Sequence, residues 1–421
     1  MRLRAVSERV PSSVEAWREP APAQRTPAAA ESASGEIRVV EAEPAEVLKS
    51  GGVWAQLLEA SGVSSFCLQS EWLGTWLETY LSGGQRPCVL LMYDGDRLVG
   101  GLPLLQQRER GPRGVAVNAL RFLATGEPEH EEVASEYLDI VALPGYERRV
   151  AREAWRWFTD RATWDVLCFE NVLADSLIVR ELAKAAAADG AFVHLQPVGH
   201  RFAIRLPATW DAYLESLPSN AAKRMLYKRR KWLRSGGASE LRLIGADDLE
   251  HGFAELARLH RLRWERKGHS GVFVQARFAA FHRRLLERLL PSGAARLYLL
   301  ERDGAAVAAL YNLRHGSSEF SYQSGMDPAE GKYSPVFVAD SFAIEQAIAS
   351  GLKAYDFLRG KAGSYKQDYA CDETPMFRAR IFSNSMRGRV LSLGVRIMDR
   401  LRARRMRSAS QEGTNGERED E

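Results

Sequence analysis

The chain has 421 residues, and at roughly 150 residues per domain it has room for two substantial domains and tails, which excludes a single small module. Hydrophobic residues make up 45% and charged residues 27%, ordinary globular usage that excludes wholesale disorder, and a net charge of +4 does not by itself imply nucleic-acid binding. Cys67, Cys88, Cys168 and Cys371 lie far apart without a CxxC pair and suggest neither a zinc site nor a disulfide framework. No stretch approaches the ~18 uninterrupted apolar residues of a spanning helix. The N-terminus carries charges where a secretory signal has its apolar core, so the expected location is the cytoplasm.

Residues 1–36 are rich in Pro, Ala, Ser and Glu without apolar periodicity and are expected to form a disordered tail. Beyond them, Trp72, Leu73, Trp76, Leu77 and Tyr80 recur at three- and four-residue spacing and predict a helix over 70–81. A strand at 89–93 meets a turn at Asp94-Gly95 and returns over 98–105, with further strands at 120–123 and 137–142. A helix at 147–160, a strand at 165–169, a helix at 176–188 and a strand at 192–196 follow. Later, helices at 247–267 and 276–290 precede strands at 296–301, 306–313 and 319–323, turning at Asp303-Gly304 and His315-Gly316. A helix at 335–349 and an apolar strand at 354–358 close this part. Each part presents a meander, a helix and another strand, so a duplicated α/β unit explains the order, dividing the chain into 37–199 and 200–386. Residues 387–407 hold eight arginines against Asp399 and form a basic amphipathic helix, and 408–421 form an acidic tail expected to be disordered.

The strings FCLQSEWLGTW, DGDRLVGGLPL, LRFLATG and EYLDIVA in the first part, and NAAKRMLYKRRKWLR, LHRLRWERKG, RLYLLERDGAAVAALYNLR, FSYQSGMDP and YSPVFVADSFAIEQAIASGLKAYDFLRG in the second, come in a joint order. In that order the chain resembles the CelD/BcsL-type acetyltransferases of bacterial cellulose and exopolysaccharide synthesis, within the FemAB-like, twin-GNAT group. Ser334-Pro335-Val336 stands where that family has Ser-Pro-Gly, and the pyrophosphate loop of simple GNAT enzymes is absent. The resemblance implies an α/β (α+β) protein of tandem GNAT-like acyl-CoA N-acyltransferase folds, with mixed central sheets flanked by helices. It implies that the second half uses acetyl-CoA as co-substrate, without a metal, and transfers the acetyl group to a hydroxyl or amine of a sugar or polysaccharide intermediate. The first half is then a degenerate copy that shapes the acceptor cleft.

Such chemistry needs an anion site, a polarised thioester carbonyl and a route for the acceptor's proton. Ser334 suits an N-cap and Pro335 the first helical position, so a helix start with Val336 in its first turn aims free N–H groups at a coenzyme pyrophosphate, unless it is an ordinary capped helix. Lys332 adds a charge contact there or is a solvated loop lysine. Gln323 and Gly325 end a strand, where Gly325 marks a bulge or strand end whose amide is free for the thioester carbonyl. Asp356 lies in an apolar strand and needs a partner: it is a general base or acceptor-orienting group with Arg359 or Lys366 beside it, or a structural salt bridge at the sheet end. Lys366 is also a candidate for an anionic substrate group. Tyr365 is a candidate proton donor to the thiolate or packs at a sheet edge. His260 and Trp264 share a helical face with Arg263 beside them, for acceptor contact and, at His260, either general-base work or packing. The run Glu129-His130-Glu131-Glu132 lacks a second ligand cluster and reads as solvated charge.

Residues 223–234 contain seven basic residues and no acid, suited to phosphates, an acidic glycan, RNA or an anionic membrane, or to docking with a solvated basic face. At 389–407, Val390, Leu393, Ile397, Met398 and Leu401 form an apolar stripe that lies on the inner membrane surface or packs against the body. Two rivals to the acetyltransferase stay open: FemAB-like aminoacyl transfer from charged tRNA to a peptidoglycan precursor, and a non-catalytic accessory protein of an exopolysaccharide machine. Nucleic acid is not expected as a partner of the first reading.

Overall fold

The computed structural model describes residues 36–416 apart from 112, 113, 162, 236, 362, 364 and 370, and omits the side chains of Tyr365 and of residues beyond 401. The expected tail at 1–36 therefore lies almost wholly outside the described residues. In the first half, β1 (Ile37–Ala42), β2 (Arg86–Asp94), β3 (Arg97–Arg110) and β4 (Ala116–Phe122) form an antiparallel meander. Helix α1 (Ser70–Tyr80) precedes β2 and buries Trp72, Leu73, Trp76 and Tyr80 of its predicted apolar positions, with Leu77 half-buried. A two-residue strand, β5 (Val141–Ala142), pairs with β3, and α2 (Glu147–Asp160) then crosses over so that β6 (Val166–Leu173) runs parallel to β4. The expected strand over 137–142 shrinks to β5 for a local reason. Tyr137 takes a left-handed backbone (φ 60°) and donates its N–H to the carbonyl of Asn171, while the Asp139 carboxylate accepts the N–H groups of Leu177 and Ile178.

The second half repeats the plan. Strand β7 (Phe192–Arg205) leads into the basic helix α3 (Ser219–Leu233); β8 (Ser239–Leu243) follows, then α4 (Leu249–Glu265) and α5 (Ala276–Leu289). Next, β9 (Ala295–Arg302), β10 (Ala305–His315) and β11 (Ser318–Met326) complete an antiparallel meander with β8. Helix α6 (Pro335–Ala349) crosses over, β12 (Ala354–Gly360) runs parallel to β11, and β13 (Asp372–Phe382) ends the sheet-forming chain.

The halves are joined by exchange of their last strands. The centre of the single sheet reads β4-β6-β13-β7-β12-β11, so β7 of the first half lies on β12 of the second, and β13 of the second lies on β6 of the first. The exchanged strands pair antiparallel with each other from Asp372↔Ala203 to Phe382↔Phe192. The expected division at 199/200 falls inside β7, which belongs to both halves.

Side chains complete the join. Trp72 of α1 meets Phe281 of α5 edge-on with ring centroids 5.0 Å apart, Arg288 of α5 donates to both oxygens of Glu78 at 2.7 and 2.8 Å, and the Tyr322 hydroxyl donates to the carbonyl of Val133 at 2.6 Å. Helix α7 (Met386–Gly416) follows β13 and runs past the expected end at 407 into the segment expected to be disordered; residues 417–421 lie outside the described ones. Among the described residues no helix is long and apolar enough to cross a membrane.

Gly325 is the last residue but one of β11, opposite Ala309, so it lies at the strand end rather than at a bulge, which falls between Tyr311 and Asn312. Its lack of a side chain is what lets α4 approach, because a Cβ there would run into the backbone nitrogen of His260. Backbone cannot give way as a side-chain tip does, so Gly325→Ala is expected to destabilise the protein by about 1–3 kcal/mol, measured as a lower denaturant midpoint with an unchanged slope.

Candidate active site

The β11–β12 pairing covers only Ser318↔Ala354, Glu319↔Tyr355 and Phe320↔Asp356. Past Phe320, β11 keeps β10 on one side and, among the described residues, pairs with no strand on the other, so the two parallel strands part. Helix α6, the crossover from β11 to β12, starts at Pro335, as the Pro335 signal predicts. Its cap is not the expected one. Ser334 adopts a left-handed conformation (φ 55°, ψ 56°), and its hydroxyl makes no cap bond; it accepts from the Lys228 ammonium at 2.5 Å. An N-cap side chain needs an extended backbone to reach the first-turn N–H groups, and Ser334 does not have one.

Helix α3 lies across this helix start. Lys231 donates to the carbonyl of Lys332 at 3.2 Å, and Lys332 sits exposed beside the Tyr333 ring. Arg224 pairs with Asp368 at 2.6 Å, and Arg229 with Glu345 at 2.5 Å while covering the Phe342 ring. Among the described residues Lys228, Lys231 and Lys332 have no carboxylate partner, and they gather at the positive end of the α6 dipole. The Lys228 ammonium is held below the usual lysine range, first by burial and then by Arg224 and Lys231. This crowding of like charge is the arrangement that a bound polyanion relieves.

Deeper in, Arg263 of α4 donates to the Ser324 hydroxyl at 2.6 Å. Asp340, buried on α6, accepts from the hydroxyls of Tyr369 at 3.2 Å and Tyr355 at 3.4 Å. Burial pushes this carboxyl up to about 7, against the opposing pull of the tyrosines, Arg263 and Lys366. Tyr355 in turn accepts from Asn312, which also donates to the buried Glu319 at 2.7 Å. His260 lies in an aromatic setting against Phe273 and Trp264, hydrogen-bonded to Gln323, and burial, with Arg263 second, lowers it to about 4. It is 2% exposed and neutral at pH 7, the packing alternative of its two readings. Val336 is buried in the core around α6.

Asp356, Arg359 and Lys366 do come together, at an irregularity in β12. The β12–β7 register skips between Asp356 and Arg359, and Leu358 takes φ 60°. The polar groups freed by the skip are all taken up. Asp356 accepts from the Leu358 N–H at 2.7 Å, the carboxylate of Glu136 accepts from the Arg359 N–H at 2.8 Å, and Lys366 donates to the carbonyls of Phe357 and Arg359 at 2.5 and 2.6 Å. Asp356 also receives Arg201 Nε at 2.5 Å and the Tyr137 hydroxyl at 3.1 Å. With three donors and no exposed surface, its carboxylate has no face left for an acceptor, which favours the salt-bridge alternative. The Arg359 guanidinium reaches the Asn171 side chain at 2.9 Å and, at 3.5 Å, Glu136, whose carboxyl burial pushes up to about 7. Arg359 thus faces the first half rather than Asp356. The side chain of Tyr365 lies outside the described ones.

Sequence reading missed Lys228 as an individual contact, Asp340, and the first-half partners Glu136, Tyr137, Asn171 and Arg201. A lone acid inside PVFVADSFAI is a signal for Asp340; the others come from distant segments and leave none. Two surface cavities of about 460 Å³ lie away from this region, one beside Glu59, Gln69 and His315, the other beside Glu36 and Arg161. Among the described residues no group of three or more His, Cys, Asp or Glu is placed to hold a metal.

Residues 220–367, from the start of α3 to Lys366 and its neighbour, match the acetyltransferase (GNAT) domain family. No curated protein sequence matches. Among solved structures, FemX is similar at 10% identity and TM-score 0.56, over 82% of this chain and 98% of that one. The C-terminal domain of a putative lysylphosphatidylglycerol synthetase from Agrobacterium fabrum gives 9% and 0.49, over 83% and 95%. A tandem GNAT protein from the clavulanic acid biosynthesis pathway gives 12% and 0.44, over 82% and 98%. At these identities the likenesses bear on the fold alone, and of the three only FemX exceeds a TM-score of 0.5. The chain has a mixed α/β architecture, one large mixed sheet flanked by helices and built from two similar halves, and its residues 220–367 match the acetyltransferase (GNAT) domain family.

Two outcomes are expected here. Asp356→Ala leaves Arg201 and the Leu358 N–H without their partner and costs about 3–5 kcal/mol, read by denaturant unfolding. For Asp340, the folded carboxyl ionises at about 7 and the unfolded one near ~4, so the folded state binds more protons between those values. The stability tied to its protonation is complete below the lower value and is lost as pH rises to the upper one. The midpoint of Asp340→Asn relative to wild type is therefore expected to move in the variant's favour across that window and to level off above it.

Proposed function

We propose that the second half is an acyl-CoA-dependent acyltransferase that moves an acetyl group from acetyl-CoA to a hydroxyl or amine of a sugar or polysaccharide intermediate. The observation that carries this reading is the unpaired lysine cluster at the start of α6, the crossover from β11 to β12, inside the segment that matches the acetyltransferase domain. Lys228, Lys231, Lys332 and the first-turn N–H groups of α6 would hold a pyrophosphate. The open edge of β11 beyond Phe320 offers strand N–H groups to a thioester carbonyl. The acceptor oxygen or nitrogen bonds to the acyl carbon, the carbon–sulfur bond breaks, and the acceptor's proton leaves as the sulfur gains one. The cellulose or exopolysaccharide setting, and membership of the CelD/BcsL type, rest on the resemblance of the sequence motifs.

A second reading, an aminoacyl donor on charged tRNA, is favoured by the outer face of α3. Lys223, Arg230 and Arg234 are exposed there beside Tyr227, itself 60% exposed, a pattern suited to a nucleic-acid backbone and a base.

Calorimetry with acetyl-CoA and with charged tRNA separates the two. Micromolar acetyl-CoA binding is expected, weakened about tenfold or more in Lys228→Ala, since a charged hydrogen bond contributes about 1.5–3 kcal/mol. No acetyl-CoA binding at millimolar concentration sinks the reading; salt-sensitive tRNA binding in its place supports the second, and neither leaves a non-catalytic role.

A further inference from the structure

Helix α7 has two faces that do different things. Gly388, Leu391, Ser392, Val395 and Asp399 point to the protein: Leu391 and Val395 pack on Phe382 and Phe192 of the exchanged strands, and Asp399 pairs with His194 at 2.9 Å. This docking fixes the rotation of the helix. On the opposite side Met386, Val390, Leu393, Ile397 and Leu401, at helical spacings of three and four, point outward and are 46–84% exposed. The competing expectation, that this stripe packs on the body, fails because a different face already does so.

The edges of the stripe are basic. Arg389, Arg396 and Arg400 run along one side of it and Arg387 lies on the other, all exposed, and the sequence continues with Arg402, Arg404, Arg405 and Arg407. An outward apolar stripe flanked by arginines matches a surface that is apolar below a negatively charged layer. A second copy of the same face offers the apolar part but sets arginines against arginines, because a two-fold contact brings each patch onto itself.

We propose that α7 seats the protein on an anionic phospholipid surface, with Val390, Leu393, Ile397 and Leu401 entering the acyl boundary and the arginines contacting headgroup phosphates. The proposal does not depend on the acyltransferase reading, since lipid binding is measured without turnover. The test is flotation of the full chain with vesicles of phosphatidylcholine alone or mixed with phosphatidylglycerol, with sedimentation velocity alongside. Wild type is expected to float with the mixed vesicles, less so as salt rises, and to stay behind with phosphatidylcholine alone. Leu393→Asp combined with Ile397→Asp is expected to lower the bound fraction at least about tenfold, and Arg389→Gln with Arg400→Gln to weaken it and its salt dependence. All four side chains are exposed, so unchanged circular dichroism and melting confirm that the variants keep the docked face. Wild type that does not float with the mixed vesicles overturns the proposal, as does flotation that the aspartates leave intact. A dimer in sedimentation that the aspartates dissolve, without vesicle binding, assigns the stripe to a second copy instead.

Discussion

The exchange of β7 and β13 places one demand on the structure from which much else follows: β12 pairs with β11 of its own half only as far as Asp356, and beyond it holds β7, a strand shared with the other half, through an irregular register. It yields at Leu358, and that yielding sets free backbone groups in a buried place, where each unpaired group costs about 1–3 kcal/mol. Asp356, Glu136 and Lys366 take them up. Left-handed backbone recurs at Tyr137 and Asn171, both touching this spot, and such conformations persist where their surroundings over-determine them. Because Glu136, Tyr137 and Asn171 come from the first half, that half does structural work for the second. Pulling the halves apart would expose Asp356 and Arg359 with their partners missing.

Periodicity made the element plan legible. Helices α2 and α6 have the predicted bounds, α1, α4 and α5 lie within about two residues of theirs, and the two meanders turn at the two Asp-Gly pairs. What periodicity cannot carry is partnership between distant strands. The prediction ends β7 at 196, but its later residues, Gly199 to Arg205, find their pairing on β12 and β13, and β13 itself contains Pro375 and charged residues that blur any alternation. Tyr137 shows the same limit from the other side. EYLDIVA has the composition of a strand, yet tertiary contacts to Asn171 and Asp356 bend it out of the sheet.

For the site, the residue types were legible and their assignments were not. Asp356 is identified correctly as a buried carboxylate that needs a cation, but the nearest basic residues in sequence are not its partners, since Arg201 comes from the neighbouring strand β7. Ser334 marks the helix start correctly, but its hydroxyl turns to Lys228, 106 residues away in sequence. His260 looks like a base in sequence because imidazole titrates near neutrality, and burial removes that property. Asp340 gains what His260 loses by the same physics, because burial raises an acid and lowers a base.

A net charge of +4 conceals two basic surfaces that work in opposite ways. On α3 Lys228 reaches the start of α6, where burial and then Arg224 and Lys231 lower its proton affinity, so it suits a small, highly charged ligand that replaces lost water. On α7 Arg387, Arg389 and Arg400 are exposed beside an apolar stripe, where they keep their hydration until a charged layer approaches. Ionic strength acts on these unequally: exposed charges are screened over about 8 Å at physiological salt, and buried ones much less. A contact centred on the part-buried Lys228 is therefore screened less than one made through the exposed arginines of α7 or the exposed outer face of α3.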